Sequence, residues 1–186
     1  MNENFSLNPH EIKLLRQTID QKIISLNTSH IPDEYDFWWP LYIELDGISL
    51  KITSELTVAN YFDGKEDCSR LTIRASKDET PVDYVKTIQQ VVHDVVIITN
   101  IISFPGTDTD NNVPFQFTYP RALLFQLDNC VLTIERGWHF EEYLMAKLQD
   151  KNDIELTDEL PDWYDPDEDY VKPTIRQVRK SLRIAE

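Results

Sequence analysis

An α+β domain, with an antiparallel sheet built from hairpins and packed on one face by helices, is the fold class the sequence predicts. Three observations carry it. Two twelve-residue stretches read as hairpins in the same register, several segments carry helix-start signatures or helical spacing, and no regular βαβ alternation demands a parallel sheet.

In chain order, Asn8-Pro9-His10-Glu11 supplies a capping residue, a proline at the first helical position and a glutamate able to reach back to the cap. Ile12, Leu15, Ile19, Ile23 and Leu26 follow at helical spacing, so a helix is expected over residues 9 to 26. Leu41 to Ile52 is the clearest hairpin. An Asp46-Gly47 turn pairs Leu45 with Ile48, Ile43 with Leu50 and Leu41 with Ile52 on one face. The same reading of Leu123 to Ile134 across Asp128-Asn129 pairs Leu127 with Cys130, Phe125 with Leu132 and Leu123 with Ile134. The two stretches share Leu-Asp-[Gly/Asn]-x-x-Leu-x-Ile, a pattern that duplication or convergence of hairpins can both produce.

Between them, Glu55 to Phe62 and Ser69 to Ala75 read as two strands joined across Asp63-Gly64. Thr80-Pro81-Val82-Asp83 repeats the helix-start signature, and Val85, Ile88, Val92, Val95 and Ile102 continue at near-helical spacing. Residues 91 to 104 are so rich in Val, Ile and Thr that helix and strand both stay open. Residues 105 to 114 form a loop, and Gly137 separates the second hairpin from a helix expected over Trp138 to Leu148.

Charge then divides the chain. Residues 1 to 149 hold 22 acids and 12 bases, residues 150 to 170 hold ten acids against Lys151, and residues 171 to 186 hold five bases against Glu186. We read 1 to 149 as the globular domain, 150 to 172 as an acidic connector containing aromatics, and 173 to 186 as a short basic C-terminal helix with Ile175, Val178 and Leu182 on one side.

The formal net charge of −15 argues against direct contact with nucleic acid or an anionic membrane, since both require a positive surface. The four glycines, Gly47, Gly64, Gly106 and Gly137, are too dispersed for a phosphate-cradling loop, so nucleotide-binding readings fall away. The start of the chain lacks a basic segment followed by an apolar run, which predicts a cytoplasmic protein with Cys68 and Cys130 as free thiols.

No catalytic residues, metal ligands or cofactor are assigned. The four histidines form no cluster, and only His93-Asp94 and His139 near Glu141 and Glu142 stand beside carboxylates, as a general base would. Asp108, Asp110, Asn111 and Asn112 have oxygen ligands in number, but without glycine and glutamate at the positions a calcium loop uses they read as polar surface. Cys130 falls on an apolar face and Cys68 follows two acids, settings that disfavour a reactive thiolate.

What remains is a protein-binding reading. Asp33, Glu34, Tyr35, Asp36 and Trp38 place acids beside aromatics, and Asp162, Trp163, Tyr164 and Asp165 repeat the mixture in the connector. Acids steer a basic partner and desolvated aromatics supply binding energy, which is how an immunity or inhibitor protein neutralises a basic toxin. Two alternatives stand beside it. One is a small-ligand protein or enzyme with a His-carboxylate pocket; the other is a self-assembling structural subunit, a homo-oligomer through residues 150 to 186.

Overall fold

Alternation of apolar and polar residues produces strands over most of the described residues of the computed structural model. The described residues are 2–28, 37–38, 40–61, 64–76, 84–104, 114–136, 144–157 and 173–183. Of these, 69% lie in strands and 7% in a single helix. Seven strands form sheet A: β1 (Asn2–Asn4), β3 (Phe37–Trp38), β8 (Asp94–Phe104), β9 (Phe115–Gln126), β10 (Val131–Arg136), β11 (Leu144–Gln149) and β12 (Thr174–Ser181). Five form sheet B: β2 (Lys22–Thr28), β4 (Leu41–Leu45), β5 (Ser49–Tyr61), β6 (Gly64–Ala75) and β7 (Tyr84–Val91).

Sheet A runs β12-β8-β9-β10-β11-β3, with β1 parallel to the start of β9, and sheet B runs β6-β5-β4-β2-β7. All other pairings are antiparallel. One continuous core joins the two sheets: Ile23, Leu26, Ile43, Leu50, Ile52, Leu71 and Ile73 from B meet Val95, Ile97, Leu123, Phe125, Leu132, Ile134 and Leu144 from A. The expected α+β arrangement is therefore corrected. Among the described residues sheet packs on sheet, and helices do not cover a sheet face.

The one helix, α1 (Pro9–Gln17), begins as its sequence predicts, with Asn8 and Glu11 forming a reciprocal cap. It stops nine residues short of the expected end, because Thr18 turns its hydroxyl back onto the Leu15 carbonyl and Asp20 takes a left-handed φ of 65°. Ile23 and Leu26 still reach the core, but from strand β2. A bulge between Ile23 and Ser25 inserts one residue, so positions three apart share a face and imitate helical spacing.

The expected helix from residue 80 is also corrected, since Tyr84–Val91 is strand β7 and the start signature 80 to 83 lies outside the described residues, and residues 94 to 104, left open between helix and strand, are β8. The β2–β7 register shifts beside Gln89, which has a φ of 58°, the chain passes from sheet B to sheet A across Val92 and His93, and the β8–β9 register shifts at Ile98/Thr99. Ile88 of β7, Val92 of the link and Val95 of β8 thus enter one core at irregular spacing. The expected helix over 138 to 148 is also corrected: Leu144–Gln149 is β11, between β10 and β3, while 138 to 143 lie outside the described residues. The expected basic helix over 173 to 186 is strand β12, paired along its whole length with β8.

Both predicted hairpins form in the predicted registers, and β5 and β6 pair from Leu50↔Ala75 to Tyr61↔Gly64. Neither two-residue turn uses a positive φ, which is why Asn129 can stand where the other hairpin has Gly47. No helix among the described residues is long and apolar enough to cross a membrane.

Candidate functional site

Sheet A has two covered faces. Its inner face meets sheet B, and on its outer face Ile98, Ala122, Leu124 and Val131 form a second apolar layer. After β11 the chain reverses at Asp150, whose carboxylate accepts from the Asn152 N–H, and crosses this layer as a strap that lays Ile154 and Leu156 on it. Gln149 donates to the Glu155 carbonyl and holds the strap's start.

The strap ends at a buried ionic cluster. Glu135, 1% exposed, accepts from Lys147 Nζ at 2.9 Å with one carboxylate oxygen and from the Thr157 N–H at 3.1 Å with the other. Arg121, equally buried, lies 3.6 Å from that second oxygen and donates to the Thr157 carbonyl at 2.9 Å and hydroxyl at 2.6 Å. Its Nε and Nη1 have no hydrogen-bond partner among the described residues. Burying these charges is tolerable only because they are paired, and the pairing fixes Thr157 above β9 and β10.

A second buried arginine, Arg136, points between the sheets. It donates to the carbonyl and hydroxyl of Ser69 on β6 and lies 5.1 Å from the Tyr119 ring centre, tying sheet A to sheet B. Sequence reasoning missed both arginines. The available signal was a charged residue set in an otherwise continuous apolar run, as in Pro120-Arg121-Ala122-Leu123-Leu124.

Of the predicted binding residues, Trp38 lies on β3, where Phe37 and Trp38 pair with Met145 and Leu144 at the edge of sheet A. Asp33, Glu34, Tyr35, Asp36, Asp162, Trp163, Tyr164 and Asp165 lie outside the described residues, as do His30, His139 and the loop 105 to 113.

The sequence neighbours His93 and Asp94 have different partners. His93 Nε2 meets Asp128 at 2.7 Å, both side chains being about half exposed. The Val91 N–H and His93 hold the Asp128 carboxyl below its usual range. Asp94 instead receives the Ser181 hydroxyl at 2.6 Å and the Arg183 N–H at 2.8 Å. A cavity of about 350 Å³ opens elsewhere, and its lining among the described residues, Asn2, Ser103, Phe104, Pro114, Phe115, Gln116 and Thr174, includes neither histidine nor carboxylate.

Both cysteines are free. Burial pushes the Cys68 thiol up to about 11, and Arg136 only partly offsets this. The thiol of half-buried Cys130 donates to the side-chain Oε1 of Gln90 at 3.6 Å. No group of three or more His, Cys, Asp or Glu able to hold a metal ion occurs among the described residues.

The geometry can therefore fix chain segments against sheet A and display charge. Comparison of the chain with protein-family models, with curated proteins and with solved structures gave no match.

Proposed function

We propose that the protein is a binding module for a basic protein partner, acting as an inhibitor or immunity protein acts, by covering a cationic surface. One observation carries the reading: the chain positions from which both acidic, aromatic segments depart are anchored on the same sheet. Residues 33 to 36 run directly into β3, and residue 158 follows Thr157, which Arg121 and Glu135 hold over β9 and β10. In the strand order of sheet A, β10 and β3 are separated only by β11, about 10 Å from axis to axis.

Charge supports the same reading. Among the described residues two buried glutamates, Glu11 and Glu135, offset two buried arginines, Arg121 and Arg136, so the rest of the chain carries the full net charge of −15. Such a surface accelerates encounter with a cationic protein, and Trp38, Trp163 and Tyr164 are the residue types that supply interface energy.

The test is a tagged capture from lysate at about 0.05 M and about 1 M salt, where screening lengths differ severalfold. A basic protein retained at low salt, released at high salt, and bound at least tenfold more weakly after Trp163→Ala is the expected result. Retention of no basic protein, or retention indifferent to salt and to Trp163→Ala, overturns the reading.

A further inference from the structure

The β5–β6 hairpin reaches past the core it helps to build. Its register is unbroken from Leu50↔Ala75 to Tyr61↔Gly64, so even-numbered residues of β5 and odd-numbered residues of β6 share one face throughout. At the near end that face is core: Leu50, Ile52, Leu71 and Ile73 all lie in the cluster shared with sheet A. Ser54 and Ser69 mark the rim, both buried, with Ser69 held by Arg136. Past them the same face emerges. Leu56 is 57% exposed and Val58 58%, and Lys65 and Asp67 on β6 are exposed beside them.

The arm is held in place by its other face. Ala59 and Cys68 are buried in one cluster with Phe5, Phe117 and Tyr119, and Glu3 accepts from the N–H and the side-chain amide of Asn60 at 3.2 and 2.9 Å. Leu56 and Val58 are therefore displayed on an anchored strand, two large apolar side chains about 7 Å apart on one face. Lys65 and Asp67 stand two positions apart on the neighbouring strand, and neither makes an ion pair among the described residues.

A cation and an anion side by side on one face make a surface complementary to its own copy turned through a two-fold axis. A uniformly acidic or uniformly basic partner would match only one of them. We propose that this exposed face of the β5–β6 arm is a docking site for a second copy of the chain. The axis runs close to the Val58↔Asp67 pair, so that Val58 packs on Val58 of the other copy with Leu56 flanking it, and Lys65 of each copy pairs with Asp67 of the other. The patch is small, and the dimer it forms is correspondingly weak. It uses none of the residues proposed to meet a basic partner, so either proposal can fail without the other.

Sedimentation equilibrium of the full chain from about 10 μM to about 1 mM is expected to show a mass rising toward, and not beyond, that of two chains. Leu56→Ser with Val58→Ser, at positions already open to water, should weaken association about tenfold or more. Charge reversal adds a readout that misfolding cannot imitate. Lys65→Asp and Asp67→Lys each set like charges opposite one another and should each weaken association about tenfold or more, whereas their equimolar mixture should recover the original constant within about threefold. The mass of one chain at every concentration, a mass beyond two, association unchanged by the serine pair, or a mixture no tighter than its components overturns the proposal.

Discussion

The two hairpins, β4–β5 in sheet B and β9–β10 in sheet A, share a sequence pattern and an inner face but differ on the outside. Inward, Leu41, Ile43, Leu45, Leu50 and Ile52 match Leu123, Phe125, Leu127, Leu132 and Ile134, and both sets enter one core. Outward, Glu44 receives the Ser25 hydroxyl and Lys51 lies 5.6 Å from the Tyr42 ring centre, at partly exposed positions. The second hairpin's outer face instead holds Leu124, Val131 and Glu135 beneath the strap. One face of a hairpin fixes its register. The other records what the rest of the chain lays over it.

Substitutions can break that comparison. Phe125→Ala removes an aromatic ring from the shared core and is expected to cost about 3–5 kcal/mol in denaturant unfolding. Glu135→Ala strands Arg121 in a buried site and should cost about 3 kcal/mol, whereas Glu44→Ala, also on the outer face but in the first hairpin, should cost about 1 kcal/mol or less. Equal losses at the two glutamates would show that the outer faces are energetically alike. Leu156→Ala, which thins the strap over Leu124 and Val131, is expected to cost about 1–2 kcal/mol.

A chemical probe sharpens the comparison at the second turn. An alkylating reagent at mildly alkaline pH should modify Cys130 in the folded protein and reach Cys68 only on unfolding, because burial keeps the Cys68 thiol protonated up to about pH 11. The unfolded thiol ionises at its ordinary value of 9.0, so this group contributes stability below pH 9.0 that is lost as pH rises toward about 11. The smallest effect belongs to Gly47→Ala. Its φ is not left-handed and the new Cβ meets only the flexible Gln21 side chain, at 3.2 Å, so unfolding should shift by under about 1 kcal/mol.

Hairpin register was legible because it depends on residues two to twelve apart, and the cap on α1 was legible for the same reason. The two-sheet architecture was not. Bulges at Ile24 and Gln89 placed core residues at spacings that read as helical, and β12 finds its partner β8 some 80 positions upstream, a pairing no local pattern encodes. The acidic and aromatic segments were legible as composition. The fixing of Thr157, just ahead of the second segment, was not, because it rests on Arg121 and Glu135, charged residues whose burial only the assembled strap reveals.

The proposal that the two segments meet one partner is tested most directly by a double-mutant cycle on the captured basic partner. Asp33→Asn with Asp36→Asn forms one arm, Asp162→Asn with Asp165→Asn the other, and their combination closes the cycle. If both segments face the same partner, each arm weakens binding at least tenfold and the combined loss departs from the product of the two. A loss confined to one arm, or none in either, contradicts the proposal.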